Sequence, residues 1–154
     1  MIENHTMYKF LVADDHPLFR DALKSALSSC FNNVTFFESD SLDTTIAVLR
    51  KHRNISVIIL DLTMPGCDNF YGLLRVKELY PTIPILVLSA SDSPEVISQV
   101  MAFGAEGYIP KTSSTPTIKK AILAIMNGET WLSDDLADAI TEVDTDAKDI
   151  ATKL

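Results

Sequence analysis

A chain of 154 residues fits one domain with room for a tail, and 47% hydrophobic residues supply a sizeable core. A formal net charge of −8 opposes nucleic-acid binding through this chain alone and makes an anionic membrane an unfavourable resting place. The two cysteines, Cys30 and Cys67, are too few for a disulfide framework and read as small apolar thiols of a reducing, cytoplasmic setting. There is no signal-peptide pattern, and no apolar run approaches the roughly 20 residues that span a bilayer.

Residues 1–7 lack periodicity and read as a leader. Phe10, Leu11, Val12 and Ala13 then form an apolar run that predicts a buried strand, and it ends abruptly in Asp14 and Asp15. Two carboxylates about 4–5 Å apart repel by roughly 3–4 kcal/mol at a surface-like dielectric, so a positive partner is expected nearby. Leu18, Ala22, Leu23, Ala26, Leu27 and Cys30 recur every three or four residues and predict a first helix with that face inward. A second strand is predicted at Val34–Phe37, followed by a helix marked by Leu42, Ile46 and Leu49. The third strand, Val57–Leu60, leads into Asp61 and then a helix carrying Phe70, Leu73, Leu74 and Leu79. Ile85–Leu88 predicts the fourth strand and ends at Ser89. Ser93 as cap, Pro94 in the first turn and Glu95 on the favourable side of the dipole start a fourth helix that runs to Phe103. Gly107–Ile109 predicts the fifth strand and leads to Lys111, after which Thr115 as cap, Pro116 and Gly128 bound a fifth helix. Residues 129–154 read as a short helix over 133–140 followed by an acidic linker.

Strand and helix thus alternate five times, with the strands roughly two dozen residues apart. That spacing accommodates crossover helices but not hairpins, so the sheet is expected to be parallel and doubly wound. The strand runs do not alternate between apolar and polar, as expected for strands covered on both faces.

In such a sheet, ligands bind outside the carboxyl ends of the strands, beside the switch in strand order. Those ends carry Asp14, Asp15, Asp61, Ser89 and Lys111. Taken singly, each has a plain reading: an aspartate caps or turns, a lysine is solvated, a serine bonds backbone. Converging on one edge, the carboxylates would raise one another's pKa unless a cation joined them. An oxygen-rich acidic site suits a hard cation, and Mg²⁺ takes one or two carboxylates while keeping several waters. His5, His16 and His52 are scattered in sequence, which argues against a transition-metal centre. His16 and Pro17 read as the turn that aims both aspartates at the rim, and Pro65 and Gly66 as the turn after Asp61. Mg²⁺ beside an aspartate, a lysine and a hydroxyl suits phosphoryl transfer to a carboxylate. Asp61, on a central strand before a sharp turn, is the best acceptor.

The stretches "VADDHPLFRDAL" (Val12–Leu23), "DLTMPG" (Asp61–Gly66), "LSA" (Leu88–Ala90) and "GAEGYIPK" (Gly104–Lys111) resemble the receiver domain of bacterial two-component response regulators, in particular the NarL/FixJ (LuxR-type) branch. The resemblance covers residues 8–128 and implies the flavodoxin-like strand order 2-1-3-4-5. It implies that Asp61 is the phosphoacceptor, that Asp15 ligates the metal with Asp14 in support, and that the backbone carbonyl of Thr63 is a further ligand. Lys111 is then the phosphoryl-contacting lysine, Ser89 the switch hydroxyl and Tyr108 the aromatic that swings inward. A sensor histidine kinase is the implied phosphoryl donor, homodimerisation the implied consequence, and enzymatic turnover is not implied. DNA is implied as a target only through a helix-turn-helix domain that this chain does not contain, with residues 129–154 leading toward it. Asn69 stands where many receivers have glycine, and asparagine also tolerates the left-handed conformation. A haloacid-dehalogenase-like phosphatase would want a second acid where Thr63 stands. A flavodoxin-like cofactor binder would want a phosphate-welcoming loop where Asp14 and Asp15 stand. A receiver serving only as an interaction module is the third alternative.

Overall fold

The computed structural model describes residues 7–90 and 93–132. Five strands, β1 (Tyr8–Ala13), β2 (Val34–Ser39), β3 (Val57–Asp61), β4 (Ile85–Ser89) and β5 (Gly107–Pro110), alternate with α1 (Pro17–Cys30), α2 (Leu42–Lys51), α3 (Tyr71–Leu79), α4 (Pro94–Ala102) and α5 (Thr115–Met126). All neighbouring strands are parallel, in the order β2-β1-β3-β4-β5, as the resemblance implies.

Successive side chains of each strand point to opposite faces of the sheet, and both faces are covered. Leu11, Ala13, Ile58, Leu60 and Val87 pack on one side with Leu49 of α2, Leu73 and Val76 of α3, and Ile97 and Val100 of α4. Phe10, Val12, Ile59, Leu86 and Leu88 pack on the other with Leu23 and Leu27 of α1 and Ile118, Ile122 and Ile125 of α5. This double burial is why the strands read as unbroken apolar runs.

Local signals and tertiary packing disagree in several places. In α1 the buried residues are Leu23 and Leu27, while Leu18 is 84% exposed and Ala22 also faces solvent. The helix is therefore rotated from the expected face, and Phe19, not Leu18, packs toward the core. Helix α5 is capped by Ser114, whose hydroxyl accepts from the Thr117 N–H, so Thr115 is the first helical residue and not the cap. Ser93 occupies the cap position of α4, but its hydroxyl donates to Glu95. Helix α3 begins only at Tyr71: Asn69 and Phe70 both adopt left-handed backbone (φ 54° and 66°), which Asn tolerates and Phe rarely does. Phe70 is thus a turn residue, and Leu74 is exposed.

Gly128, at φ 87°, follows the last turn of α5 as expected. Beyond it the chain returns along the outer edge of β5: the Trp131 N–H donates to the Glu106 carbonyl (2.9 Å), and the Tyr108 N–H to the Trp131 carbonyl (3.1 Å). The short helix expected over 133–140 lies outside the described residues. Among the described residues, no helix is long and apolar enough to cross a membrane.

Candidate functional site

Strand register brings the carboxyl ends together. Ala13 pairs with Leu60, Asp61 with Leu88 and Ser89 with Pro110, so Asp14, Asp61, Ser89 and Lys111 reach one rim from four strands. The rim spans the β1–β3 boundary, where the strand order switches. Asp14 and Asp61 are each only 2% exposed, and Ser89 is buried as well.

The expected positive partner is Lys111. Its Nζ lies 2.7 Å from Asp14 Oδ2 and 3.4 Å from Asp61 Oδ2. Its backbone N–H donates to the Ser89 carbonyl (2.9 Å), and its ammonium sits 4.7 Å from the centre of the Phe19 ring, a cation–π contact that holds the side chain over the acids. Burial pushes the Asp14 carboxyl pKa up. The Lys111 ammonium and the contacts from His16 outweigh burial and hold it below its ordinary value.

The loop after β3 fixes the Asp61 carboxylate. The Thr63 N–H donates to Asp61 Oδ1 (3.1 Å), and the Thr63 hydroxyl lies 2.9 Å from both carboxylate oxygens. Gly66 sits at φ 90°, and a Cβ there would meet Leu42 Cβ at 2.8 Å, so both backbone and space demand glycine. Cys67 is buried beneath this loop. Burial, helped by the charges of Asp61, Asp68 and Asp15, pushes its thiol up to about 11, which keeps it neutral and unreactive near pH 7.

His16 makes the expected turn and also contributes its side chain to the rim. Its backbone extends into the turn as expected and its N–H donates to Asp14 Oδ1 (2.8 Å), but the imidazole also turns into the rim. Nδ1 lies 2.6 Å from Asp14 Oδ1, 3.2 Å from Asp15 Oδ1 and 3.6 Å from Asp61 Oδ2. Phe19 under Lys111 was missed, and Thr63, expected beside the acceptor, proves to hydrogen-bond Asp61 through its hydroxyl. The only sequence signal for either was its short spacing from an acid.

Of the residues expected at the site, Asp14, Asp15, Asp61 and Lys111 converge, and Ser89 lies buried at the end of the neighbouring strand. Tyr108 pairs in register with Val87 and is completely buried on the face of β5 that α4 covers, so its ring already lies inside. One donor atom each from Asp14, Asp15, His16 and Asp61 fall within 4.8 Å of one another. Asp15 Oδ1 is buried and accepts no hydrogen bond, and three carboxylates face a single ammonium. The donor set fits a hard dication such as Mg²⁺.

The fold and rim define a doubly wound α/β domain with a buried acidic site at its switch point. This chain belongs to the response regulator receiver domain family, whose sequence model matches residues 10–123 and whose general function is that of a phosphorylation switch. It is 37% identical to the glycerol metabolism activator of Pseudomonas putida over 84% of this chain and 59% of that protein. It is 32% identical to the probable transcriptional regulatory protein NarL of Mycobacterium tuberculosis, over 78% of this chain and 55% of that protein. The chain therefore spans little more than half the length of these curated relatives. Its fold matches the crystal structure of a LuxR-family two-component response regulator from Aurantimonas sp. SI85-9A1 with a TM-score of 0.81, at 21% identity over 91% of this chain and 99% of that one.

Proposed function

We propose that in the cytoplasm Asp61 accepts a phosphoryl group from the phosphohistidine of a sensor histidine kinase, and that this controls a DNA-binding domain reached through residues 129–154. The observation that carries this reading is the rim itself: three aspartates, two of them almost fully buried, against one tethered lysine. Asp14 and Asp15, with Asp61 and the Thr63 carbonyl, would hold Mg²⁺. When bound, Mg²⁺ supplies charge neutralisation at the phosphoryl oxygens.

The remaining work belongs to the chain. The Thr63 N–H ties Asp61 Oδ1, while Oδ2 faces Lys111. A carboxylate oxygen of Asp61 attacks phosphorus in line, a P–O bond forms, the P–N bond to the donor imidazole breaks, and that imidazole takes a proton from water. Lys111 offsets the new charge of about −2, and the Ser89 hydroxyl donates to a phosphoryl oxygen. Tyr108 and α4 then shift the surface formed by α4, β5 and α5. That surface is the proposed route to homodimerisation, and residues 129–154 the proposed lead into the DNA-binding domain. The chain acts as a phosphoacceptor and not as an enzyme with turnover on external substrates.

Incubation with Mg²⁺ and acetyl phosphate, followed by intact mass measurement, tests the reading. One added phosphoryl group is expected, and none in Asp61→Asn. An unchanged mass where a control receiver reacts would sink the proposal.

A further inference from the structure

The imidazole of His16 is a polar rim group to which the phosphoryl-transfer reading assigns no step. It is not there for packing: His16 is 58% exposed, and the ring extends over the acids and not into the core. Its backbone N–H already fixes Asp14 Oδ1, so the turn would stand without the ring.

The spacing of the donor atoms is informative. In an octahedral site with metal–ligand distances near 2.1 Å, adjacent ligand atoms lie about 3.0 Å apart. His16 Nδ1 stands 2.6, 3.2 and 3.6 Å from oxygens of Asp14, Asp15 and Asp61. These distances scatter around the edge of such a polyhedron. Two buried acid atoms support a ligand at this point: Asp15 Oδ1 accepts no hydrogen bond, and Asp14 Oδ2 is met only by the Lys111 ammonium.

We propose that His16 Nδ1 is a nitrogen ligand of the rim's cation site, and that the ring therefore favours borderline dications such as Co²⁺ more than the carboxylates alone would. This inference rests on the cation site proposed above and adds a ligand to it. Mg²⁺ prefers oxygen and gains little from an imidazole, whereas affinity for Co²⁺ rises when nitrogen joins a carboxylate set. Ligation uses the neutral ring with its proton on Nε2, and the Nδ1 contacts to Asp14 (2.6 Å) and to the Lys111 ammonium (3.4 Å) are exchanged for the metal bond.

Electron paramagnetic resonance with Mn²⁺ alone separates this inference from the one beneath it. Loss of the free-ion sextet on adding protein reports binding of any kind. Electron spin-echo modulation from ¹⁴N reports a directly bound nitrogen. Bound Mn²⁺ with nitrogen modulation, absent in His16→Ala, is the expected result. Bound Mn²⁺ without the modulation, or with modulation that survives His16→Ala, overturns the nitrogen ligand and leaves the carboxylate site standing. No loss of the free sextet removes the cation site and the inference together. Metal titrations give a second readout: His16→Ala weakens Co²⁺ binding about tenfold while shifting Mg²⁺ binding less than about threefold. An equal loss for both ions would assign the ring to positioning Asp14 alone.

Discussion

Two charged clusters share α1 and its neighbouring strands but obey different economics. On the outer face, Arg20 and Lys24 meet Glu38 at 3.0 and 2.8 Å, with Asp21 3.6 Å from Lys24. Positive and negative groups balance there, and the two acids lie open to water. The Lys24 contact, opposed in part by burial and helped by Arg20, lowers the Glu38 pKa, and Glu38 in turn raises that of Lys24. At the rim, three acids face one lysine, and two of those acids are almost fully buried. Arg20 joins the two clusters, because its Nη1 donates to the Asp14 carbonyl (2.5 Å). A balanced, solvated cluster needs no ligand. An unbalanced, buried one fits a cation and, in the proposed function, a phosphoryl group, and its imbalance costs stability while they are absent.

The contrast can be broken by removing one lysine from each cluster. Lys111→Met leaves Asp14 buried without its ammonium and is expected to cost about 2–3 kcal/mol in urea unfolding, somewhat below the range for a fully buried pair because the lysine is partly exposed. Lys24→Met is expected to cost no more than about 0.5 kcal/mol in the same assay. Equal costs would show that the rim is no more special than the surface pair.

A smaller effect of opposite sign sharpens the point. Asp61→Asn removes one of three like charges and is expected to stabilise the metal-free protein by about 1 kcal/mol. Added Mg²⁺ then raises the melting temperature of the wild-type chain but not of the variant. Destabilisation by Asp61→Asn without metal would contradict an unbalanced rim.

The smallest expected effect is on the acid limb. The Asp14 pKa is lower in the folded state than in the unfolded chain. Its stabilisation is therefore present above the ordinary aspartate range and is lost as pH falls through the folded value. Urea unfolding across that window is expected to show a shallower acid loss in Asp14→Asn than in the wild-type chain. A parallel loss in both would place the acid sensitivity elsewhere.

Much of this architecture was legible because both faces of the sheet are buried. Runs such as Val57–Leu60 could only be interior strands, and Pro17, Pro94 and Pro116 marked helix starts wherever packing went. The acids at the strand ends were legible for the same reason, since a charge ending a buried run is conspicuous. Side-chain direction was harder to read. Leu18 and Phe19 both suit the inner face of α1, and only the docking of the helix beside Lys111 decides between them. His16 follows the same logic: sequence spacing exposes the turn it makes but not the way its ring falls. Trp131 shows the limit from the other side, because its pairing with Gly107 depends on where α5 ends in space.

We propose that Asp61, and neither acid at the end of β1, takes the phosphoryl group. Borohydride reduces an aspartyl phosphate to homoserine, so reduction after acetyl phosphate treatment, followed by peptide sequencing, locates the acceptor directly. Homoserine is expected at position 61 and nowhere else. Homoserine at position 14 or 15, or no homoserine in a chain that has gained a phosphoryl group, would contradict it.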